Sequence, residues 1–353
     1  LTVESMASDG RRLFIGGRFK NAGGRSAPGI AALDLQTGLA DPTFNPPAQD
    51  GSVHAIALSG DRVYMGGSFK TVDGDAKYAT VAALSAIDGR LIRSFVPPPF
   101  SGSFIDRQGT PTAGEGGAVN VLALPAGGEF LVVGGEFVHV GAGAPTTDYD
   151  PHSGLTALNT SDGSLPSWRP HSDRPTFGIA LSPDGRTVYV AQGGQGGTLG
   201  AYRPGQDEPI FNFEPQNPQG PINGHRTLDW HLAHVDGDAL GVAATENRIY
   251  LGGHFDVGEP DPDAKCIHSV PSQCKRPLSS DSTPHRHVIA YDLTGHEDPT
   301  WTAQADTAEG PTTMLAGPDA LYLGGNFKNT LSKYLDGKTA KFHPGFAMFP
   351  AIN

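Results

Sequence analysis

A seventeen-residue pattern recurs along this chain and limits its possible folds more than any other feature. The segment Val3-Glu-Ser-Met-Ala-Ser-Asp-Gly-Arg-Arg-Leu-Phe-Ile-Gly-Gly-Arg-Phe19 returns as Val53-His-Ala-Ile-Ala-Leu-Ser-Gly-Asp-Arg-Val-Tyr-Met-Gly-Gly-Ser-Phe69. Drifted copies run from Val119 to Phe137, Thr176 to Gln192, Ala239 to Phe255 and Thr312 to Phe327, six in all. Their starts at 3, 53, 119, 176, 239 and 312 lie 50, 66, 57, 63 and 73 residues apart, so the unit stays fixed while the spacers vary. Such a period marks an architecture in which each unit buries its apolar face only against a neighbour.

Within a unit, a small apolar stretch such as Ala55-Ile56-Ala57-Leu58 leads through Ser59-Gly60-Asp61 into Val63-Tyr64-Met65, a hairpin of strands a and b. After Gly-Gly-x-Phe comes a loop and then strand c, as in Ile30–Asp34 and Val81–Leu84. Turns at Gly38, Gly89, Gly163 and Gly295 precede a fourth strand marked by an aromatic two residues before a proline: Phe44 and Pro46, Phe95 and Pro97, Trp168 and Pro170, Phe213 and Pro215. Proline suits an outer edge strand with no further neighbour to bond. Four strands per unit predict an all-β, six-bladed β-propeller of four-stranded antiparallel blades, filling residues 1–353 as a single domain. The glycine pairs 16/17, 66/67, 134/135, 252/253 and 324/325 read as close approaches or bulges at the end of strand b, because no helix follows to make a phosphate site.

Composition narrows the function. With 25 Lys+Arg against 37 Asp+Glu, the formal charge is -12, which opposes binding to nucleic acid or to an anionic membrane surface. No apolar run reaches the roughly 20 residues of a membrane helix, so the chain is not itself membrane-spanning. The start at Leu1 lacks a basic segment followed by an apolar one, as expected of a mature chain whose export signal has been removed. The 48 Gly and 30 Pro fit a turn-rich β protein. Gly-x-Ser-x-Gly elbows, Walker loops and dinucleotide fingerprints are missing, so no nucleotide cofactor is expected.

The combination of x-Val-Tyr-x-Gly-Gly-x-Phe, Ala-Ala-Leu-Asp-x-x-Thr-Gly and aromatic-x-Pro resembles the delta-60 repeat β-propellers, usually exported proteins of actinobacteria and related bacteria. The resemblance covers nearly the whole chain and implies a secreted or cell-surface protein, while leaving activity open, since propellers host enzymes and docking platforms alike. Unit four departs from the pattern: Val188-Tyr189-Val190-Ala191-Gln192 runs into Gly193-Gly194 without the Phe. Glu4, His54, Asn120, Phe177, Leu240 and Thr313 are expected to face the channel. The sixth unit ends with Gly345–Phe349 aligned on strand c, which predicts an incomplete last blade whose fourth strand comes from residues upstream of Leu1.

The expanded connections, 97–118, 138–153, 215–238 and 256–284, should all emerge on one face. Unit five is the most unusual. His225, Asp229, Trp230, His231, His234, Asp236 and Asp238 precede its strand a; His254 follows strand b, with His268, His285 and His287 beyond. Imidazoles and carboxylates in two loops of one blade suit a Zn site or an acid/base pair, with His231, His234, His254 and Asp238 as catalytic candidates. His231, His234, His254, His285 and His287 are the candidate metal ligands. Solvated loop residues and structural hydrogen bonds are the simpler reading. Asp73-Gly74-Asp75 and Asp261-Pro262-Asp263 hint at Ca but lack the full Asp-x-Asp-x-Asp-Gly spacing. Cys266 and Cys274 close a nine-residue loop. In an exported protein they read as a disulfide worth about 2 to 3 kcal/mol, with a two-Cys zinc site as the alternative. Trp230, Phe100, Phe104 and Tyr149 lie in the expanded loops, where they can stack on sugar rings, anchor a partner or simply pin the loops. The sequence thus points first to a binding protein for a polysaccharide, a peptide or an envelope protein. The alternative is a hydrolase or lyase at the mouth of blade five.

Overall fold

The computed structural model describes residues 2–104, 117–142, 153–170, 172, 174–193, 197–206, 210, 237–255, 287–296, 298, 300–301, 304–305, 310–317, 320–327, 330–331, 341–343 and 345–350. Among these the protein is all-β, with antiparallel sheets and one short 3-10 turn at Ala76–Tyr78. The chain forms two compact units, 1–179 with 204–207, and 180–203 with 208–353.

In the first unit, repeat one pairs Thr2–Ser8 (strand a), Arg12–Arg18 (b) and Ile30–Asp34 (c) in the order a-b-c. Repeat two does the same with Val53–Ser59, Arg62–Gly67 and Val81–Ser85, and repeat three with Val119–Ala123, Phe130–Gly135 and Leu155–Asn159. Repeat four consists of Thr176–Leu181, Val188–Gln192 and Thr198–Tyr202, its first strand straddling the boundary between the units. In the second unit, repeat five comprises Asp238–Ala244, Ile249–His254 and Val288–Tyr291. Repeat six places Gly310–Ala316, Ala320–Asn326 and Phe346–Pro350 in the same order.

Two expectations are corrected. The fourth strand of the early repeats shrinks to a bridge, Leu33 to Ala40 and Leu84 to Leu91. Asp41 ends it: its Oδ1 accepts the Thr43 N–H at 2.9 Å and the Thr43 hydroxyl at 2.7 Å, turning the chain just before Phe44. Conversely, repeat six, expected to lack its outer strand, has one: Lys341–His343 pairs with Phe346–Pro350, giving a four-stranded sheet. A strand count based on aromatic-x-Pro missed it, because this outer strand precedes strand c in sequence.

Three of the four fourth-segment aromatics pack as their position suggests, Phe213 lying outside the described residues, and Trp301 of repeat five packs in the same way. Phe44 meets Phe14 edge-on at 5.3 Å, Phe95 meets Tyr64 at 5.3 Å, Trp168 tilts on Phe130 at 5.3 Å, and Trp301 meets Tyr250 at 4.9 Å. Larger cores lie between consecutive sheets: Phe14, Ile30, Val53, Ile56, Met65 and Phe69 join repeats one and two, and Ala243, Tyr250, Val288, Leu321 and Leu323 join five and six. Each such aliphatic or aromatic side chain contributes about 1.5 to 3 kcal/mol when fully buried.

The glycine pair is what lets the sheets approach. A Cβ on Gly16 would lie 2.7 Å from Val53 Cγ1, and one on Gly66 would lie 2.6 Å from Val119 Cγ1, so strand a of the next repeat rests on bare backbone. The second glycine sits against the strand a carbonyl of its own repeat, at a β-bulge that recurs between Val3 and Ser5, Val53 and Ala55, Val119 and Val121, Ala239 and Gly241, and Pro311 and Thr313. This register places the sixth copy one residue earlier than its sequence alignment. The position matching His54 is Thr312, not Thr313.

A second clamp closes the Gly-Gly-x-Phe turn. The residue before strand c donates its N–H to the Phe carbonyl and accepts from the second glycine, as Gly29 does with Phe19 and Gly17 at 2.9 and 3.0 Å. It must be left-handed, and two repeats place other residues there: Thr80 at φ 69 and His287 at φ 67. Arginines tie neighbouring repeats together at the opposite end. Arg12 bonds Asp9 and Asp41 and donates to the Ala86 carbonyl of repeat two at 2.8 Å. Arg62 donates to the Thr160 carbonyl of repeat three at 2.6 Å.

Candidate functional site

The recurring bulge carries one unpaired residue out of the ladder in five of the repeats, and the strand b residue after the glycine pair ends beside it. In the first unit the bulged residues are Glu4, His54 and Asn120, and the residues after the glycines are Arg18, Ser68 and Glu136. Repeat four continues the series with half-buried Phe177, one residue after Thr176, whose methyl covers Gly134 as Val119 covers Gly66.

The polar side chains among these form two neighbouring clusters. Glu4 and His54 Nδ1 make a very short hydrogen bond, with both side chains 23% exposed. The other ring nitrogen, Nε2, lies 3.2 Å from Ser68 Oγ. An ionised Glu4 only accepts, so Nδ1 carries a hydrogen; when the ring is neutral, Nε2 is then the acceptor that faces the serine hydroxyl. Arg18 Nε lies 3.9 Å from Glu4 and donates to Ser52 Oγ at 3.2 Å. Next door, Asn120 Nδ2 donates to Glu136 Oε1 at 3.5 Å and to the Thr176 carbonyl at 3.3 Å. Burial raises the pKa of Glu136 above the ordinary glutamate value, outweighing the Asn120 amide and the charge of His54, which both pull it down. The set offers a carboxylate, an imidazole, an amide, a hydroxyl and a guanidinium within reach of solvent. Such groups bind hydroxyls and move protons.

Glu4, His54, Asn120 and Phe177 fall in the series expected from the sequence. Arg18, Ser68 and Glu136 did not, although the variable x of Gly-Gly-x-Phe marks them: it reads Arg, Ser, Glu, His and Asn across five repeats.

In the second unit, Asp238 and His254 stand directly opposite each other at the open end of strands a and b. His254 is exposed and Asp238 half-buried. His287 has a structural position: it is 5% exposed, its Nδ1 donates to the Gly253 carbonyl at 3.1 Å, and its backbone makes the clamp described above. Phe100 is 8% exposed and packs edge-on against Phe137 at 4.9 Å, and Phe104 is half-buried beyond it. Asp73 pairs with Arg93 at 2.8 Å, and Asp75 accepts the Lys77 N–H at 3.0 Å. Trp230, His231, His234, Tyr149, Cys266, Cys274 and His285 lie outside the described residues. Among the described residues no group of three His, Cys, Asp or Glu is placed to hold a metal, and no helix is long and apolar enough to cross a membrane.

No protein-family model and no curated protein matches the chain. Among solved structures it is similar to the hydrazine synthase of Kuenenia stuttgartiensis at 13% identity and a TM-score of 0.50, over 92% of this chain and 74% of that one. It is also similar to the computationally designed Ika8 protein at 9% identity and a TM-score of 0.45, over 99% and 96% of the two chains. At such identities the hydrazine synthase likeness is one of fold alone.

Proposed function

We propose that the six repeats close into a single six-bladed propeller of the exported delta-60 type, and that it serves as a secreted or cell-surface binding module for a polysaccharide, a peptide or an envelope protein. Two open half-junctions support closure. Val53 and Val119 cover the first glycine of the preceding repeat, whereas Val3 and Met6 of repeat one are 51% and 65% exposed. Among the described residues, a Cβ on Gly324 of repeat six would meet only Thr313 of its own sheet within 4 Å. Closing the ring joins that bare glycine to those uncovered side chains.

One observation carries the binding reading. Frame positions repeat, with glycine pairs, buried Phe69, Phe137, Phe255 and Phe327, and a left-handed clamp, while the bulge and the residue after the glycines change from repeat to repeat. Variable polar groups on an unvarying rigid frame are how a scaffold presents a recognition surface. Glycan-array binding by purified protein tests it: saturable binding that His54→Ala with Asn120→Ala abolishes supports the reading, and binding unaffected by both substitutions refutes this surface. The placement of Asp238 opposite His254 favours a second reading, a hydrolase or lyase at repeat five. Stoichiometric transition metal on elemental analysis would support that alternative.

A further inference from the structure

The geometry points to an activity beyond binding: Ser68, His54 and Glu4 form a nucleophile, a base and an orienting carboxylate for cleaving a small, uncharged carboxylic ester. Acyl-transfer triads are recognised by roles, not by fold or residue order. Here the carboxylate holds Nδ1, the second nitrogen faces a serine hydroxyl at 3.2 Å, and the three residues come from separate strand ends of two adjacent repeats. Ser68 lies at the end of strand b, half-buried, with its N–H donating to the Ser52 carbonyl at 3.1 Å. Ser52 in turn accepts from Arg18, whose side chain is 72% exposed and supplies a cation at the same corner. Glu4 and Glu136 repel an anionic substrate, which selects for an ester without its own negative charge.

Each step balances without a further reactant. Ser68 Oγ attacks the carbonyl carbon while its proton passes to His54 Nε2, and the carbonyl electron pair moves onto oxygen, facing Arg18. Collapse breaks the bond to the alkoxy oxygen, which leaves with the proton from Nε2, and an acyl-Ser68 remains. Water attacks that ester with His54 again taking the proton; carboxylic acid departs and Ser68 recovers its hydrogen. Glu4 touches no substrate. It is a positioning residue that fixes the tautomer and stabilises the imidazolium.

The test is labelling with a fluorophosphonate, followed by peptide mass spectrometry, together with turnover of p-nitrophenyl acetate. The expected result is a single adduct on Ser68 with loss of fluoride, and a hydrolysis rate that Ser68→Ala and His54→Gln each reduce by about 10²-fold or more, general-base catalysis being worth roughly 10² to 10⁴. Glu4→Gln should lower kcat with KM unchanged, a split that general loosening of the loop would not give. Ser68→Ala at this half-buried position is expected to melt at the wild-type temperature, which separates loss of the nucleophile from loss of the fold. An adduct elsewhere, no adduct, or equal rates for wild type and Ser68→Ala overturns the proposal. The binding reading is tested separately, because glycan binding does not require Ser68 to react.

Discussion

Replacing Gly66 by alanine adds one methyl group where the second and third repeats meet. Its Cβ would lie 2.6 Å from Val119 Cγ1 and 3.3 Å from two atoms of Leu122, and these neighbours are 0% and 8% exposed. Neither is the free end of a flexible chain, so the sheets must part or the valine must leave its rotamer. Overpacking of this kind costs about 1 to 3 kcal/mol. Against it stands the stiffer unfolded chain, which returns about 0.4 to 1 kcal/mol, since Gly66 does not need a left-handed backbone. The expected net destabilisation is about 1 to 2 kcal/mol, read from urea denaturation followed by intrinsic fluorescence. Val119→Ala removes the clashing methyls, so the double variant should be more stable than the sum of the single effects predicts, by about 1 kcal/mol. A Gly66→Ala protein as stable as wild type, or additivity of the two changes to within about 0.5 kcal/mol, would refute the idea that the glycine is there to let the sheets touch.

Other consequences follow from named contacts. Arg12→Ala should cost about 2 to 4 kcal/mol at neutral pH, because it strands Asp9, Asp41 and the Ala86 carbonyl in a partly buried corner. The Thr43 hydroxyl, with Thr43 N–H and Arg12 beyond it, holds Asp41 below the ordinary carboxylate value against the opposing effect of burial. Its contribution is therefore complete above the unfolded pKa and disappears as pH falls through the lowered folded value, so the penalty of Arg12→Ala should shrink in urea titrations as pH is taken below the ordinary aspartate value of 3.8. Glu136 has the opposite sign: burial raises its pKa, so ionisation works against the fold, and Glu136→Gln should raise the melting temperature at pH 7 with little change near pH 3. Thr80→Gly should stabilise by about 1 kcal/mol, because φ 69 is strained for a β-branched residue and natural for glycine; differential scanning calorimetry reads the shift.

The repeats and their hairpins were legible because glycine pairs, buried phenylalanines and alternating apolar strands are local requirements of each sheet. Register was not. The bulge inserts one residue opposite the glycines, and an alignment by residue type slipped by one in repeat six, from Thr312 to Thr313. The outer strand Lys341–His343 was missed because it comes before strand c instead of after it. The clamp before strand c was hidden by its mixed composition, glycine at 29, 154 and 345 but Thr80 and His287 elsewhere. The histidines concentrated around repeat five lie mostly outside the described residues. The best-defined polar network instead joins Glu4, His54 and Ser68, which are 50 and 14 positions apart along the chain. Sequence spacing has no way to register such a meeting; it arises from the bulge and from one sheet resting on the glycine of another.

Closure of the ring would bring all six variable ends onto one surface, and a single engineered cross-link tests it. Gly16 and Val53 show the geometry of a filled junction, close enough for two β-carbons to fall within the roughly 3.5 to 4.5 Å that a disulfide spans. Val3→Cys with Gly324→Cys creates the equivalent pair at the terminal junction. After mild oxidation, non-reducing electrophoresis and mass spectrometry should find a monomer with residues 3 and 324 covalently joined. Failure to cross-link, or a ladder of disulfide-linked multimers, would contradict a closed single-chain propeller.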